Sequence, residues 1–433
     1  MRTDCAAGCC GLDFGTSNST LGTLVGNRIE LVPLENGEPT LPSALFFDFE
    51  AHRPRFGRAA VAAYVAGVEG RLMRSLKSVL GTGLIDEDTQ LLSRRIGFRE
   101  VIGLLVGHVR STAEAAAGRP LDSVVHGRPV HFVDGDPAAD ARAETALADI
   151  ARAAGFRHVS FQYEPIAAAL SYESTVGREQ VALIADIGGG TSDVSIVRIG
   201  PDRAGRPDRA DDILANGGVR LGGTDFDRLL SLETLMPALG YRAPLRTKGL
   251  LTPNHWYVDL ATWSKINFLY VPSVLAAVRR LEPEAVTPAL LRRLATVLEH
   301  HLGHALAIKA EGAKIELSGG RSVEIDLDAV EAGLTVPASR GQLVTAIAEP
   351  VARLGALVRD CLAQAGLRPE QVNAVFLTGG STLLPAVRGA ILAELPAAEP
   401  VEGDKFGAVG HGLALEAARR YGGLPADTAG LVA

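Results

Sequence analysis

Two apolar patterns alternate along the chain. Residues 181–185 (VALIA) form an unbroken apolar run, which is typical of a strand buried on both faces. From 341 to 365 the apolar positions recur every three or four residues, which predicts a helix that Pro350 kinks or divides. A further helix is predicted over 137–154, with Asp136 as its cap. Strands and helices in alternation predict an α/β protein whose sheets are covered by helices.

Three shorter segments extend this pattern. The β-rich run VSFQY predicts a strand over 159–163, and the residues after it predict a helix over 165–172. Residues 201–212 (PDRAGRPDRADD) are strongly polar, and we expect them to form a surface loop between strands.

An internal repeat marks the ends of two predicted strands. The first copy is DFGTS at 13–17 and the second is DIGGGTS at 186–192. In each copy an aspartate is followed by glycine and hydroxyl residues, and then by residues that return as a hairpin. The copies lie about one domain length apart in the chain. This arrangement predicts two similar lobes that face each other across a cleft.

The repeated residues suit phosphate and magnesium. Glycines let backbone N–H groups approach a phosphate closely, and the neighbouring hydroxyl groups add donors. We expect Asp13 and Asp186 to hold Mg²⁺ through waters, with Asp193 as a third carboxylate. The alternative is a pair of ordinary hairpins whose aspartates cap turns. Two further glycine turns, GGTD at 222–225 and TGGST at 378–382, favour a ligand site.

Other phosphate-binding patterns are absent from the sequence. No Gly-x-x-x-x-Gly-Lys-Ser/Thr loop occurs, and no Gly-x-Gly-x-x-Gly opens a helix after a strand. These absences disfavour P-loop and Rossmann interpretations.

Composition restricts the class of protein. The chain has 433 residues, 47% of them hydrophobic and 21% charged, which excludes intrinsic disorder, collagen and coiled coil. Its net charge of −7 gives no overall attraction for nucleic acid or anionic lipid. The most apolar stretch, 372–387, is interrupted by glycines and Pro385, and the N-terminus has no apolar signal core. We expect a cytoplasmic protein with neither nucleic-acid nor membrane partners.

Cysteine usage leaves two interpretations open. Cys5, Cys9 and Cys10 are close enough in sequence for a metal or redox site, but no second ligand cluster follows. Alternatively, Cys9 and Cys10 are small apolar residues of the first strand, which we favour. Cys361 lies on an apolar helix face and is predicted to belong to the core.

Five motifs, taken in order, resemble the heat-shock protein 70 family of DnaK-type chaperones, and other phrases resemble its YegD-like subgroup. The motifs are GLDFGTSNST (11–20), YEPIAAALSYE (163–173), ADIGGGTSDVSI (185–196), VRLGGTDFD (219–227) and VFLTGGSTLLP (375–385). The subgroup phrases are GRPVHF (127–132), GFRHVSFQYEP (155–165) and LMPALG (235–240). The resemblance runs from residue 9 to about 422. It implies an α/β, actin-like (duplicated ribonuclease H-like) ATPase fold, with two lobes of mixed sheets flanked by helices around a nucleotide cleft.

The resemblance implies ATP or ADP with Mg²⁺ as ligands, K⁺ as a further candidate ion, and roles for individual residues. Lys77 is similar to the lysine that positions the attacking water, and Glu164 to the glutamate of the Mg²⁺–water network. Their alternatives are a solvated lysine and a turn carboxylate. Asp13, Asp186 and Thr191 complete the implied catalytic set. The implied phosphate contacts are Gly15, Thr16, Ser17, Asn18, Gly188, Gly189, Gly190, Thr191, Gly222 and Gly223.

On the adenosine side the resemblance is weaker. Glu311, Lys314 and Ser318 are similar to the family's contacts on one helix face, with Gly379, Gly380, Ser381 and Leu383 opposite. The chaperones place arginines beside the adenine where this chain has Ile315 and Leu383. Phe406, preceded by Asp404 and Lys405, aligns with an aspartate near the ring.

These expectations together describe one ATPase unit. Lobe I is predicted over 1–180, lobe II over 181–422 and a tail over 423–433, with no peptide-binding domain. Slow hydrolysis would switch cleft opening and so present different surfaces to an unidentified protein partner or client. The alternatives are a sugar or polyol kinase, a filament-forming protein and a nucleotide-sensing scaffold. Residues 256–263, which hold both tryptophans, are predicted as core, with a docking surface as the alternative.

Overall fold

The fold was determined from a computed structural model. It describes residues 8–26, 28–91, 94–133, 135–173, 175–203, 206, 208–401 and 407–422. Cys5, residues 402–406 with Phe406, and the predicted tail at 423–433 lie outside these ranges.

The first lobe is built on a sheet in the order β11-β10-β1-β2-β3, with β4 paired to β2. β1 runs parallel to β10 and antiparallel to β2. The strands are β1 Gly8–Phe14, β2 Asn18–Val25, β3 Arg28–Leu31, β4 Thr40–Pro42, β10 Leu121–Arg128 and β11 His158–Tyr163.

Helices and two small sheets complete lobe I. Helix α1 (Gly57–Val65) packs on a sheet of β6 Arg53–Phe56, β5 Ala44–Asp48 and β7 Gly70–Arg74. A two-stranded sheet joins β8 Asp88–Leu91 to β9 Arg94–Gly97. The remaining helices are α2 Phe98–Ala117, α3 Pro137–Ala153 and α4 Glu164–Glu173.

The second lobe repeats the topology of the first. Its sheet has the order β18-β17-β12-β13-β14. These strands correspond, one by one, to β11, β10, β1, β2 and β3 of lobe I. β12 runs antiparallel to β13 and parallel to β17, as β1 does to β2 and β10. The repeat seen in the sequence is therefore a repeat of the fold. The strands are β12 Gln180–Ile187, β13 Ser192–Ile199, β14 Ile213–Val219, β17 Ala374–Thr378 and β18 Glu399–Val401.

The helices of lobe II share one large core with its sheet. A separate hairpin joins β15 Ser322–Asp326 to β16 Thr335–Ser339. The helices that follow β14 are α5 Gly223–Glu233, α6 Leu235–Ala238, α7 Asn254–Leu260, α8 Pro272–Leu281, α9 Pro288–Glu299, α10 Gly303–Gly319, α11 Arg340–Ala346, α12 Ala348–Ala365, α13 Pro385–Ala393 and α14 Ala408–Tyr421.

Several sequence predictions are confirmed in detail. The Asp136 side chain accepts a hydrogen bond from Ala139 N at 2.9 Å and so caps α3. The predicted 341–365 helix is divided into α11 and α12, as the position of Pro350 suggested. Pro350 lies in the first turn of α12, where its missing N–H removes no hydrogen bond of the helix. Cys9 and Cys10 are buried in β1, and Cys361 is buried in α12.

The loop after β13 contains two charged side chains that are buried, although its sequence predicted exposure to solvent. Arg209 and Asp212 are almost fully buried, because Arg209 pairs with Asp212 and, at 2.8 Å, with buried Glu173 of α4. A buried charge persists when it is paired. The prediction of a surface loop over 201–212 is therefore wrong for Arg209 and Asp212, whereas Asp208, Ala210 and Asp211 are exposed as expected.

Helices α4 and α14 lie between the two sheets. The boundary drawn from sequence put residues 408–421 in lobe II, but α14 packs on β1 and β2 of lobe I. Glycines allow this close approach: a Cβ on Gly11 would lie 2.1 Å from Ala414 N, and a Cβ on Gly412 would lie 1.9 Å from Ala167 O. The C-terminal helix thus lies in the core between the two sheets, with its closest backbone contacts in lobe I.

Candidate functional site

The repeat places two aspartates at equivalent strand ends. Asp13 is the second-to-last residue of β1, and Asp186 is the second-to-last residue of β12. Asp193 of β13 lies directly opposite Asp186 in the antiparallel register, and Thr378 of β17 lies on its other side. The topology therefore gathers three carboxylates where the carboxyl ends of β1 and β12 face the cleft.

The two glycine hairpins touch each other across the cleft. A Cβ on Gly189 would lie 2.3 Å from Ser17 Oγ, so the glycine lets the two hairpins approach closely without displacing this hydroxyl group. The second hairpin is closed by the Gly188 N–H, which donates to Thr191 O at 2.9 Å. Gly190 faces open space, and Asn18 begins β2 with an exposed side chain. Both sets of predicted phosphate-binding residues thus meet in one place.

Lys77 and Glu164 form an ion pair beside the carboxylates. Lys77 lies in a short 3-10 helix, Leu76–Val79, and Glu164 is the first residue of α4. Lys77 Nζ lies 2.5 Å from Glu164 Oε1, and the two side chains are only 11% and 17% exposed. A Cβ on Gly127 would lie 3.3 Å from Glu164 Oε1, so Gly127 makes room for the glutamate. Lys77 is therefore not a solvated surface lysine.

Several carboxylates lie close together in this cluster, and burial and mutual repulsion change their pKa values. Burial, followed by the charge of Glu164, raises the pKa of Asp13 to about 8, and the same two causes raise the pKa of Asp186. Burial and then Asp186 raise the pKa of Asp193 to about 7, although its side chain is accessible from the cleft. Burial opposes the charge on Lys77, but attraction to Glu164 and Asp13 outweighs it and raises the pKa of Lys77.

These groups fit a hydrated divalent cation. Asp13, Asp186 and Asp193 lie close together with Lys77 beside them, and burial, followed by repulsion from neighbouring carboxylates, raises the pKa of each aspartate. Among the residues that the structure describes, no group of three or more His, Cys, Asp or Glu side chains converges tightly enough to ligate a metal directly. Oxygen donors at a distance suit Mg²⁺, which keeps several of its waters.

On the other side of the second hairpin, the start of α5 packs against it. A Cβ on Gly222 would lie 2.5 Å from Gly190 N, and the Gly223 N–H donates to Gly188 O at 2.9 Å. Ser381 Oγ also donates to Gly188 O, at 3.1 Å. Gly379 adopts a φ of 79°, and a Cβ there would lie 2.7 Å from Asp186 Oδ1. Three glycine turns therefore converge on the cleft, with Ser381 bracing the hairpin.

Helix α10 carries the three predicted adenosine contacts Glu311, Lys314 and Ser318, and their side chains differ in burial and hydrogen bonding. Lys314 is buried: its Nζ lies 2.8 Å from Asp227 Oδ1 and donates to Gly223 O at 3.3 Å. Glu311, one turn earlier, is exposed. Ser318 Oγ donates to Ile315 O at 2.6 Å within its own helix, so this hydroxyl group is already engaged.

Two large apolar side chains are exposed at the same wall. Ile315 is 61% exposed on α10, and Leu383 is 45% exposed in the short helix Gly380–Leu383 that follows Ser381. They occupy the positions where the sequence lacks the expected arginines. The aligned Phe406 lies outside the described residues.

Sequence reasoning missed several supporting residues. Ser43 N donates to Ser17 O and Ser43 Oγ donates to Gly15 O, at 2.8 and 2.7 Å, which fixes the first hairpin from behind. Thr224 Oγ1 donates to Gly189 O at 2.8 Å and fixes the second. Asp227 pairs with Lys314. Asp227 and Thr224 fall inside the GGTDFD motif and were within reach of sequence reasoning, whereas nothing in the sequence marked Ser43.

Two further observations concern the protein's surroundings. Cys9, Cys10 and Cys361 are free and buried. Burial raises the pKa of the Cys10 thiol and, to about 11, that of Cys361, which makes them unreactive. In the described part of the chain, every helix is too short or too polar to cross a membrane.

Comparison with known families agrees with this geometry. The sequence model of the Hsp70 protein family matches residues 9–236 and 291–425, and both hairpins, Lys77, Glu164 and α10 lie within the matched ranges. The intervening segment, 237–290, is not matched. The duplicated lobes are those of the actin-like ATPase fold, and the family binds ATP. The chain belongs to the Hsp70 family.

Proposed function

We propose that this protein is a YegD-like Hsp70-family ATPase that hydrolyses ATP slowly between its lobes. The observation that carries the proposal is the Lys77–Glu164 ion pair, which lies beside Asp13 and Asp186 where the two glycine hairpins touch. A buried lysine beside carboxylates can supply the positioning and charge stabilisation on which phosphoryl transfer depends.

The reaction assigns a role to each group. Backbone N–H groups of the two hairpins, with the hydroxyl groups of Thr16, Ser17 and Thr191, hold the phosphates. Lys77 and Glu164 orient a water so that its oxygen bonds to the γ-phosphorus as the bond to ADP breaks. Both hydrogens of that water leave on the phosphate product, H₂PO₄⁻, which then exchanges a proton with solvent. Positioning and charge stabilisation supply most of the rate acceleration in such reactions.

Asp13, Asp186 and Asp193 are the residues that would hold Mg²⁺ through waters, and K⁺ is a candidate second ion. The divalent cation supplies neutralisation of phosphate charge when it is bound. On the nucleoside side, Ile315 and Leu383 offer an apolar sandwich for the adenine, and Glu311 offers a carboxylate to the ribose. Gly380 and Ser381 form the opposite turn.

Hydrolysis would act as a switch. Closure on ATP and opening after hydrolysis would change the surface presented to a protein partner or client. The free thiols of the described cysteines suit a reducing compartment such as the cytoplasm.

The test is the rate of ADP production by Lys77→Ala. We expect a roughly 10²–10³-fold loss of kcat, typical of removing one electrostatic group, while ADP still binds. Lys309→Ala is the matched control, because Lys309 pairs with Asp326 at 3.3 Å on the surface of lobe II, and it should behave as wild type. Normal hydrolysis by Lys77→Ala would show that the assignment of this lysine is wrong.

A further inference from the structure

A histidine lies among apolar side chains at the centre of the lobe I sheet. His126 belongs to β10 and is paired with Leu12 of β1 on one side and Phe161 of β11 on the other. The residue is 0% exposed. The ring centroids of His126 and Phe161 are 5.8 Å apart, and the Phe14 ring meets His126 edge-on at 6.5 Å. An imidazole in such surroundings loses its hydration, so a compensating contact must account for it.

The hydrogen bond that the ring makes fixes its tautomer. His126 Nδ1 lies 2.8 Å from Gly127 O. Burial lowers the pKa of His126 to about 4, so the ring is neutral near pH 7 and carries one N–H. A carbonyl oxygen can only accept, and therefore the hydrogen is on Nδ1, which donates to Gly127 O. Nε2 is buried and has no hydrogen-bond partner among the described residues. Within the described chain the ring is thus bonded to the Gly127 carbonyl alone.

The Gly127 peptide lies where two strands part. The pairing of β1 with β10 ends at Leu12 and His126, whereas β10 stays paired with β11 as far as Arg128. Asp13 is the next residue of β1, so the strands part beside the carboxylate cluster. The side chain of His126 therefore holds the first backbone carbonyl of β10 that lies beyond the pairing with β1.

The same glycine packs against the glutamate of the Lys77–Glu164 ion pair. A Cβ on Gly127 would lie 3.2 Å from Glu164 Cγ and 3.3 Å from Glu164 Oε1, the oxygen that lies 2.5 Å from Lys77 Nζ. The charge of Lys77 also contributes to the lowered pKa of His126, so the ammonium group acts on the ring. A chain of contacts thus runs from His126 through the Gly127 backbone to Glu164 and Lys77.

Packing alone does not explain a histidine at this position. A phenylalanine would fill the space between Phe14 and Phe161 without burying two ring nitrogens, one of which has no partner in the described chain. What a phenylalanine lacks is the Nδ1–H group that holds the Gly127 carbonyl. The residue type is therefore explained by the backbone that it holds beside Glu164.

We propose that His126 is a positioning residue for hydrolysis: its Nδ1–H holds the Gly127 peptide, and this peptide holds Glu164 in the orientation in which it binds Lys77. The inference rests on the proposed function, because it assigns the Lys77–Glu164 pair to the chemical step. His126 lies in the lobe I core behind the ion pair, so it acts on the orientation of the attacking water. Loss of its hydrogen bond should lower kcat and leave the affinity for ADP unchanged.

The test compares single-turnover hydrolysis of ATP, the Kd for ADP and the Tm in two variants. His126→Phe keeps a ring and loses the Nδ1–H, and we expect hydrolysis about 10-fold slower with an unchanged Kd. His126→Asn fills the core less well but places an amide N–H where Nδ1 lies. It should be less stable than His126→Phe and yet hydrolyse ATP within about threefold of wild type. A purely structural histidine predicts the reverse order of rates, because activity would then follow stability.

A double-mutant cycle decides the matter if His126→Asn does not fold. In the Glu164→Gln background, His126→Phe should slow hydrolysis by less than about twofold, because the histidine acts through the glutamate. If His126→Phe does not fold, His126→Leu, which also lacks the N–H, takes its place. His108→Phe is the matched control: His108 stacks on Phe56 elsewhere in lobe I, with centroids 4.1 Å apart, and this variant should hydrolyse ATP as wild type does.

Three results overturn the inference while the ATPase stands. They are wild-type hydrolysis by His126→Phe, a rate of His126→Asn no higher than that of His126→Phe, and equal slowing by His126→Phe in both backgrounds of the cycle. If the wild-type protein does not hydrolyse ATP, or if Glu164→Gln hydrolyses it at the wild-type rate, the proposed function fails and the inference fails with it.

Discussion

The contact between the hairpins makes Gly189→Ala the most informative substitution in the cleft. A Cβ at this position would lie 2.3 Å from Ser17 Oγ, whereas ordinary contacts of a Cβ begin near 3.4 Å. The φ angle of Gly189 is not positive, so alanine fits the backbone and the collision is the main cost. To relieve it, either the Ser17 hydroxyl group must turn away or the hairpins must separate by about 1 Å.

Both responses displace a group that we assign to the phosphates. A misplacement of about 1 Å in a reacting geometry can cost roughly 100-fold in rate. Because side-chain rotation relieves part of the collision, we expect kcat/KM to fall about 10- to 100-fold, equal to about 1.4–2.7 kcal/mol of transition-state stabilisation.

A double-mutant cycle separates this collision from other effects. With Ser17→Ala in place, the nearest Ser17-derived atom is the Cβ at 3.3 Å, so Gly189→Ala should then cost little. ATP hydrolysis would be measured for the wild type, both single variants and the double variant. Gly103→Ala, in open space on α2, is the control for replacing a glycine and should not change kcat/KM.

An equal cost of Gly189→Ala in both backgrounds would refute the reasoning. Such additivity would mean that Ser17 and Gly189 do not meet in the working enzyme.

Two further predictions concern stability. Burial raises the pKa of Asp13 to about 8 and also raises that of Asp186, so the folded protein keeps protons that the unfolded chain releases near pH 3.8, and the stability of the nucleotide-free protein should fall as pH rises from about 4 towards 8. Mg²⁺·ADP must displace these protons, so the rise in Tm that it causes should be larger at pH 8.5 than at pH 6 in scanning fluorimetry; an equal rise at both would contradict the assignment. Gly412→Ala puts a Cβ 1.9 Å from the Ala167 carbonyl oxygen and should lower the free energy of unfolding by at least about 2 kcal/mol in urea titration, whereas Gly107→Ala, in open space, should not.

Much of the site could be predicted from the sequence because it is local in the chain. Asp13 and Asp186 each lie next to the turn that they serve, and the apolar residues before them define their strands. The duplication made this information appear twice. For the same reason the Asp136 cap and the division of the helix at Pro350 were predicted correctly, since each depends on residues within one turn.

What could not be predicted depends on contacts between distant segments. Gly11 lets β1 approach α14, and Gly412 lets α14 approach α4, so each close contact joins segments that are far apart in the chain. No periodicity in the sequence reveals either contact. The polarity of 201–212 suggested a surface loop, because the burial of Arg209 depends on Glu173 in another element. Of the two tryptophans in 256–263, Trp256 is buried in the core of lobe II as expected, whereas Trp263 is only half buried and its ring meets Tyr64 of lobe I, which no local pattern reveals.

The central claim is that one nucleotide binds between the lobes with magnesium. Calorimetric titration of the nucleotide-free protein with ADP, with and without Mg²⁺, tests it most directly. The account predicts a single site per chain that binds ADP more tightly with Mg²⁺. The cation would offset the repulsion between the phosphates and the carboxylates of Asp13, Asp186 and Asp193. Failure to bind ADP, or binding that Mg²⁺ leaves unchanged, would contradict it.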